Sequence, residues 1–208
     1  MNDFGGVMKR ILVLAFLAAL STSPLWADEL GPHQEWIERV EGTLAFPDSN
    51  DTTSALNVGF GGGLSMGYRL DENFSISIAS GYYQYDIKNI PANYNGGYFS
   101  YVPLESVFTY HFGDGPFRPY VSFGIGAAFN TYSLSSNVQG STLQTNSYET
   151  SFFMSPAVGF LQIISPQAAL FVEGRMDMDY RANNALGLAD GTPSIFIPIQ
   201  AGLAFFVI

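Results

Sequence analysis

The stretch Ala168-Ala169-Leu170-Phe171-Val172-Glu173-Gly174-Arg175-Met176-Asp177-Met178-Asp179-Tyr180-Arg181 decides how the rest of the chain reads. Its even positions are Ala168, Leu170, Val172, Gly174, Met176, Met178 and Tyr180; from Glu173 its odd positions are Glu173, Arg175, Asp177, Asp179 and Arg181. Successive side chains of a strand point to opposite faces, so this segment is predicted to be one strand with an oily face and a charged face.

The same code recurs along the chain. From Leu56 to Leu70 every large apolar residue is even-numbered, and the odd positions are Asn, Gly, Ser and Arg69. Phe74, Ile76 and Ile78 oppose Ser75, Ser77 and Ala79, and Tyr82, Tyr83 and Tyr85 read as an aromatic band at a membrane interface. Val102, Leu104, Phe108, Tyr110 and Phe112 oppose Glu105, Thr109 and His111, while Phe123, Ile125 and Phe129 oppose Ser122, Gly124, Gly126 and Asn130. Phe152, Met154, Val158 and Phe160 oppose Glu149, Ser151, Ser155 and Gly159, and the last strand sets Ile195, Ile197, Ile199, Leu203, Phe205 and Val207 against Gln200, Gly202 and Ala204. These are seven strands. Trp36 to Phe46 supplies an eighth, although Glu35, Glu38 and Glu41 also suit a short amphipathic helix.

Targeting narrows the setting. Lys9 and Arg10 precede an apolar run from Ile11 to Leu20, then Pro24 and a cleavage point after Ala27, which reads as a secretory signal peptide over residues 1–27 with Met8 as the natural start. The apolar run is shorter than the roughly 20 residues of a spanning helix. Residues 28–35 are read as a periplasmic lead-in and 36–208 as one domain. Cleavage removes Lys9, Arg10 and Asp3, a net +1, so the charge moves from −10 to −11, which gives no electrostatic case for binding nucleic acid. Without cysteine there is neither a disulfide framework nor thiol chemistry. A chain 15% aromatic and only 12% charged, with no mature stretch fit for a membrane helix, has one other way to cross lipid. A closed barrel pairs every backbone group between strands and leaves no edge.

Connection lengths fit that solution. Pro47 to Ser54, Asn89 to Gly97, Ser135 to Asn146 and Asn184 to Pro193 read as long loops; Asp71 to Asn73, Gly113 to Pro116 and Ser165-Pro166 read as tight turns. Short turns alternating with longer loops are the periplasmic and outer rims of a membrane barrel, with both termini on the periplasmic side. The fold class expected is therefore all-β: an eight-stranded, antiparallel, up-and-down transmembrane barrel.

Val102-Pro103-Leu104 leading to Tyr110-His111-Phe112, then a Gly turn, Phe117-Arg118-Pro119-Tyr120-Val121 and Gly124-Ile125-Gly126, resembles the central hairpin of the small eight-stranded outer-membrane proteins, the OmpA/OmpX/OmpW-like and opacity-type barrels. The resemblance spans the mature chain in architecture and about a quarter of it in motif. It implies an outer-membrane location in a Gram-negative-type envelope, contact with outer-membrane lipids and lipopolysaccharide, and insertion by the barrel-assembly machinery. Phe205-Phe206-Val207-Ile208 departs from the group, which ends on the aromatic residue that this machinery reads. The chain is expected to act as a monomer.

An eight-stranded barrel is about filled by its own side chains. The predicted lumen face carries Arg39, Glu41, Arg69, Glu105, Arg118, Glu149, Glu173, Arg175, Asp177, Asp179 and Arg181, with glycines of the second and fifth strands leaving room for long neighbours. Enclosed charges must pair, so Arg175 and Arg118 are expected to meet Glu105 and Glu173 in a fixed plug of salt bridges. Such a network could also serve as a gate or proton path.

Motifs for chemistry resolve otherwise. Gly59-Phe60-Gly61-Gly62-Gly63 lacks the helix and downstream acid of a dinucleotide loop. Asp177 and Asp179 read as salt-bridged filling, and Asp48, Asn50 and Asp51 as an acidic turn rather than a calcium loop. No catalytic, cofactor or metal site is expected. The reading is a non-enzymatic envelope barrel for membrane structure, surface interaction or passage of small hydrophobic molecules. Two alternatives stay open: a lipid-modifying barrel enzyme, for which His33 and His111 lie at the wrong rim, and a soluble lipocalin-like carrier with apolar residues inside.

Overall fold

The computed structural model describes residues 36–88, 90, 94–113, 115–138, 141–180 and 193–207. The signal peptide, the lead-in 28–35, His33 and Arg181 lie outside the described residues. Nine antiparallel segments form the wall: β1 (Trp36–Pro47), β2 (Gly59–Arg69), β3 (Phe74–Asp86), β4 (Gly96–His111), β5 (Phe117–Val138), β6 (Ser141–Ser165), β7 (Ala168–Arg175), β8 (Asp177–Tyr180) and β9 (Ser194–Val207). Each pairs with the next, and β7 and β8 share one place between β6 and β9. Closure comes from β1 on β9, in register from Trp36 opposite Val207 to Pro47 opposite Phe196. The result is a ring of eight positions with no open edge. Trp36 to Phe46 is thus a strand.

Parity sorts the side chains as the alternation predicts. Outside lie Phe60, Ile78, Leu104, Phe152, Val158, Leu170 and Ile199; Ile78 and Val158 are each 64% exposed, which suits a surface bathed in lipid. Inside lie Glu105, Thr109, Ser155, Glu173, Arg175, Asp177 and Gln200. This arrangement excludes the lipocalin reading, which needs the opposite sorting.

Four expectations are corrected. Tyr83 and Tyr85 are not an interfacial band: they are odd-numbered on β3, share the inward face with Ser75 and Ser77, and are fully buried in the lumen. Ser135 to Asn146 is not a long loop, because β5 and β6 stay paired out to Val138 opposite Ser141. Ladder hydrogen bonds need no hydropathy contrast, so a polar Ser/Thr/Asn/Gln hairpin can continue past the apolar belt. The first long connection contains a short helix, α1 (Asn50–Ala55), whose cap Ser49 exchanges hydrogen bonds with Thr52; β2 accordingly begins at Gly59, and Leu56 bridges Ile87 instead. Finally, Ala168 to Tyr180 is not one unbroken strand.

The break falls at Met176, and its cause lies in the neighbours. Ladder pairing to β9 runs to Gly174 opposite Ile199 and resumes at Asp177 opposite Phe196, skipping the level of Pro198. On the other side, pairing to β6 skips the level of Pro156, whose carbonyl still accepts from Met176 N at 3.0 Å. Proline has no N–H to donate, so two flanking prolines interrupt the strand between them. Pro103 acts alike: β3 and β4 pair at Ser80–Leu104 and again at Tyr83–Tyr101, with nothing between.

Candidate functional site

The lumen is the place where polar and charged side chains converge, and it is built in three layers. Toward the outer rim Tyr83, Tyr85, Phe99, Tyr101, Phe153 and Phe196 form one buried cluster. Tyr83 stacks on Tyr101 with ring centroids 4.8 Å apart, and Tyr85 tilts against Phe196 at 5.0 Å. The first outer connection covers it: Leu56 is fully buried in the cluster, Ala55 packs against it, and the hydroxyl of Thr52 reaches Ile195 O at 3.4 Å. Toward the periplasmic rim a second cluster gathers Ile37, Tyr120, Leu161, Phe171 and Phe206.

Between the clusters lies a belt of charge centred on Arg175. Its Nη2 donates to Glu105 Oε1 at 2.6 Å, its Nε donates to Asp177 Oδ1 at 3.2 Å, and Glu173 Oε1 stands 4.0 Å from Nε. All four side chains are nearly inaccessible. Glu105 also accepts from Ser155 Oγ, and Asp177 Oδ2 accepts from Tyr101 OH at 2.7 Å. Glu173 in turn faces Arg39 Nη1 at 3.9 Å and Ser122 Oγ at 3.5 Å. Arg39 lies over the rings of Tyr120 and Phe171, 5.1 and 5.2 Å from their centroids, which ties the belt to the lower cluster. Tyr83 OH accepts from Gln200 Nε2 at 2.8 Å and donates to Glu41 Oε1 at 3.4 Å, tying it to the upper one.

Glycines make these contacts geometrically possible. A Cβ on Gly61 would meet Tyr83 Cδ1 at 2.8 Å, on Gly63 it would meet Glu41 Oε1 at 2.8 Å, and on Gly159 it would meet Tyr120 Cζ at 2.6 Å. On Gly124 it would collide with Glu105 Oε2 and Ser155 Oγ. The wall is stripped of side chains where the filling is bulkiest.

Of the residues singled out in the sequence, Glu105, Glu173, Arg175 and Asp177 meet directly. Asp179 is buried two positions along, toward the outer rim. Glu149, partly buried, lies opposite Asn130, well above the belt. Arg118 does not join the belt as expected: it stands at the periplasmic end and donates from Nε to Gly115 O at 3.0 Å. Arg39 takes that place, because the stagger between strands rather than sequence position sets which inward charges face one another. Tyr101 and Ser155, missed as site members, carry only a parity signal.

Among the described residues no three His, Cys, Asp or Glu side chains are placed so that they could hold a metal ion, and no helix among them is long and apolar enough to cross a membrane. Their one histidine, His111, is buried at the periplasmic end of β4. An enclosed polar lumen inside an apolar ring of eight antiparallel positions defines a small transmembrane β-barrel of the outer membrane.

The chain belongs to the family described as outer membrane protein beta-barrel domain, whose model matches residues 12–189. Among solved structures it is similar to Neisserial surface protein A, at 19% identity with a TM-score of 0.56, over 82% of this chain and 96% of that one. It is also similar to the outer membrane protein OprG from Pseudomonas aeruginosa, at 14% identity with a TM-score of 0.50, over 83% of this chain and 95% of that one. At these identities the likeness is one of fold. No curated protein sequence matches the chain.

Proposed function

We propose that this is a non-enzymatic barrel that works from its outside, bracing the outer membrane and presenting the β5–β6 hairpin to the cell's surroundings, with the lumen as an internal strut. The observation that carries this reading is the filling of the lumen by two buried clusters of rings with a salt-bridged belt between them. A central route for small hydrophobic molecules has no support in such a filling. The hairpin extends its pairing well past the apolar belt, and Tyr148 on its outer part is 73% exposed. The apolar exterior is suited to lipid and to the acyl chains of lipopolysaccharide, with the barrel-assembly machinery needed only for insertion and a single chain completing the ring.

Two measurements on the mature protein test this. In planar bilayers the reading expects no steady conductance. The chain is naturally free of cysteine, so Tyr148→Cys gives a single thiol that a membrane-impermeant maleimide should label on intact cells. Steady channels, or a thiol labelled only after lysis, would overturn the proposal.

A further inference from the structure

One charged side chain faces lipid. On the outward parity of the nine segments the residues are apolar, small or neutral, with two exceptions. Asp86 ends β3 at the outer rim. Glu38 lies instead on β1 between two apolar neighbours, Met66 of β2 and Phe205 of β9. Trp36, the preceding outward residue, meets Tyr68 edge to face with ring centroids 5.4 Å apart, and such a pair marks the periplasmic interface. Two residues of rise along a tilted strand put Glu38 about 5 Å to the hydrocarbon side of it. The carboxylate makes no hydrogen bond or ion pair with another described residue. The cations adjoining it in sequence and register, Arg39 and Arg69, belong to the inward face, where Arg39 lies over Tyr120 and Phe171 and Arg69 over Phe206. An ionisable group on the lipid face is costly and calls for a partner.

Beside Glu38 the wall is hollowed. A groove of about 240 Å³ crosses β1, β2 and β3, lined by Val40, Leu64, Met66, Ile78, Ser80 and Phe205 together with Glu38. Glu38, Met66, Ile78 and Phe205 share its periplasmic level, and Val40, Leu64 and Ser80 the level above. The next outward positions toward the outer rim are Ala201, Gly42 and Gly62, side by side on β9, β1 and β2. A Cβ on Gly42 would meet nothing within 4 Å, so the hollow continues along the wall through want of side chains.

The fold sets this face in lipid, and the charge at its periplasmic end selects among lipids. We propose that the groove holds one phospholipid of the periplasmic leaflet whose headgroup ends in a primary ammonium, with an acyl chain along the groove and the ammonium on the Glu38 carboxylate. A primary ammonium brings both the opposite charge and N–H donors. A quaternary ammonium lacks the donors, and an anionic headgroup brings like charge. The site lies outside the ring and is independent of how the lumen is filled or what the hairpin meets.

The test uses the mature chain, in which Trp36 is the sole tryptophan, in vesicles of phosphatidylcholine with brominated chains, which quench a nearby indole. Unbrominated phosphatidylethanolamine should relieve the quenching beyond its mole fraction, with an affinity relative to phosphatidylcholine of about fivefold or more, as a charge-assisted hydrogen bond provides. Successive N-methylation of the ethanolamine should lower that preference stepwise. Glu38→Gln, checked for the faster gel mobility of a folded barrel, should bring it to parity, and Ser80→Phe, which fills the groove, should reduce it. Equal affinity for the two lipids, an equal preference for phosphatidylglycerol, or a preference that survives either folded variant would overturn the proposal. Protection of Trp36 from every lipid, with a Glu38-dependent dimer in sedimentation, would assign the groove to a second copy and overturn the lipid site.

Discussion

Replacing Arg175 by methionine removes one guanidinium and strands three carboxylates. Methionine keeps an unbranched stem but not the guanidinium, so what is lost is the charge and the hydrogen bonds it donates to Glu105 and Asp177. Glu105 at 2.6 Å, Asp177 at 3.2 Å and Glu173 at 4.0 Å all lean on the same cation, and their side chains are 1%, 0% and 7% exposed. Breaking one buried pair by removing a partner costs about 3–5 kcal/mol. Three dependants put Arg175→Met at the upper end of that range, about 5 kcal/mol, less what Arg39 recovers by moving toward Glu173. The companion change Glu105→Gln removes the shortest contact while keeping the hydrogen bond to Ser155. Since the two groups touch, a double-mutant cycle should show coupling of about 1–3 kcal/mol. The assay is urea unfolding in lipid vesicles, followed by Trp36, the sole tryptophan once residues 1–27 are removed. Additivity of the two changes to within about 0.5 kcal/mol would refute a direct contact and with it the centring of the belt on Arg175.

Leu170→Arg, on the outward face opposite Leu203, should cost about 2–4 kcal/mol in the same unfolding assay if it sits at mid-membrane depth. Gly124→Ala should destabilise by about 1–3 kcal/mol through overpacking against Glu105 and Ser155, whereas Gly42→Ala, whose new methyl meets nothing within 4 Å, should be neutral or slightly stabilising; similar values for both glycines would contradict the steric account. Cell fractionation should place the mature protein in detergent-extractable outer membrane, running faster on gels before boiling than after. Recovery in the soluble periplasmic fraction would count against the barrel.

Period 2 made the wall and its two faces legible, since each step along a strand flips the side chain regardless of what lies across the sheet. Tyr83 and Tyr85 show how residue type can mislead where parity does not: their chemistry suited an interface, but their odd numbers put them with Ser75 and Ser77. The outer reach of β5 and β6 was illegible because Ser, Thr, Asn and Gln look alike on both faces of a solvated hairpin. The break at Met176 was hidden for another reason: its cause, Pro156 and Pro198, is written in other strands. The same limit applies to the belt, where composition announced buried charge but only the stagger of the ring brings Arg39 rather than Arg118 to Glu173.

The two ring clusters sit one behind the other along the barrel axis, so they act like a pair of doors in series. Trimming Tyr83 or Tyr101 opens the outer door onto a closed inner one, and trimming Phe171 or Phe206 does the reverse. Leakage through such a passage is set by whichever door stays shut. Substitutions at either end can therefore accumulate without the envelope losing its seal, and a conducting variant requires damage at both ends of the same molecule.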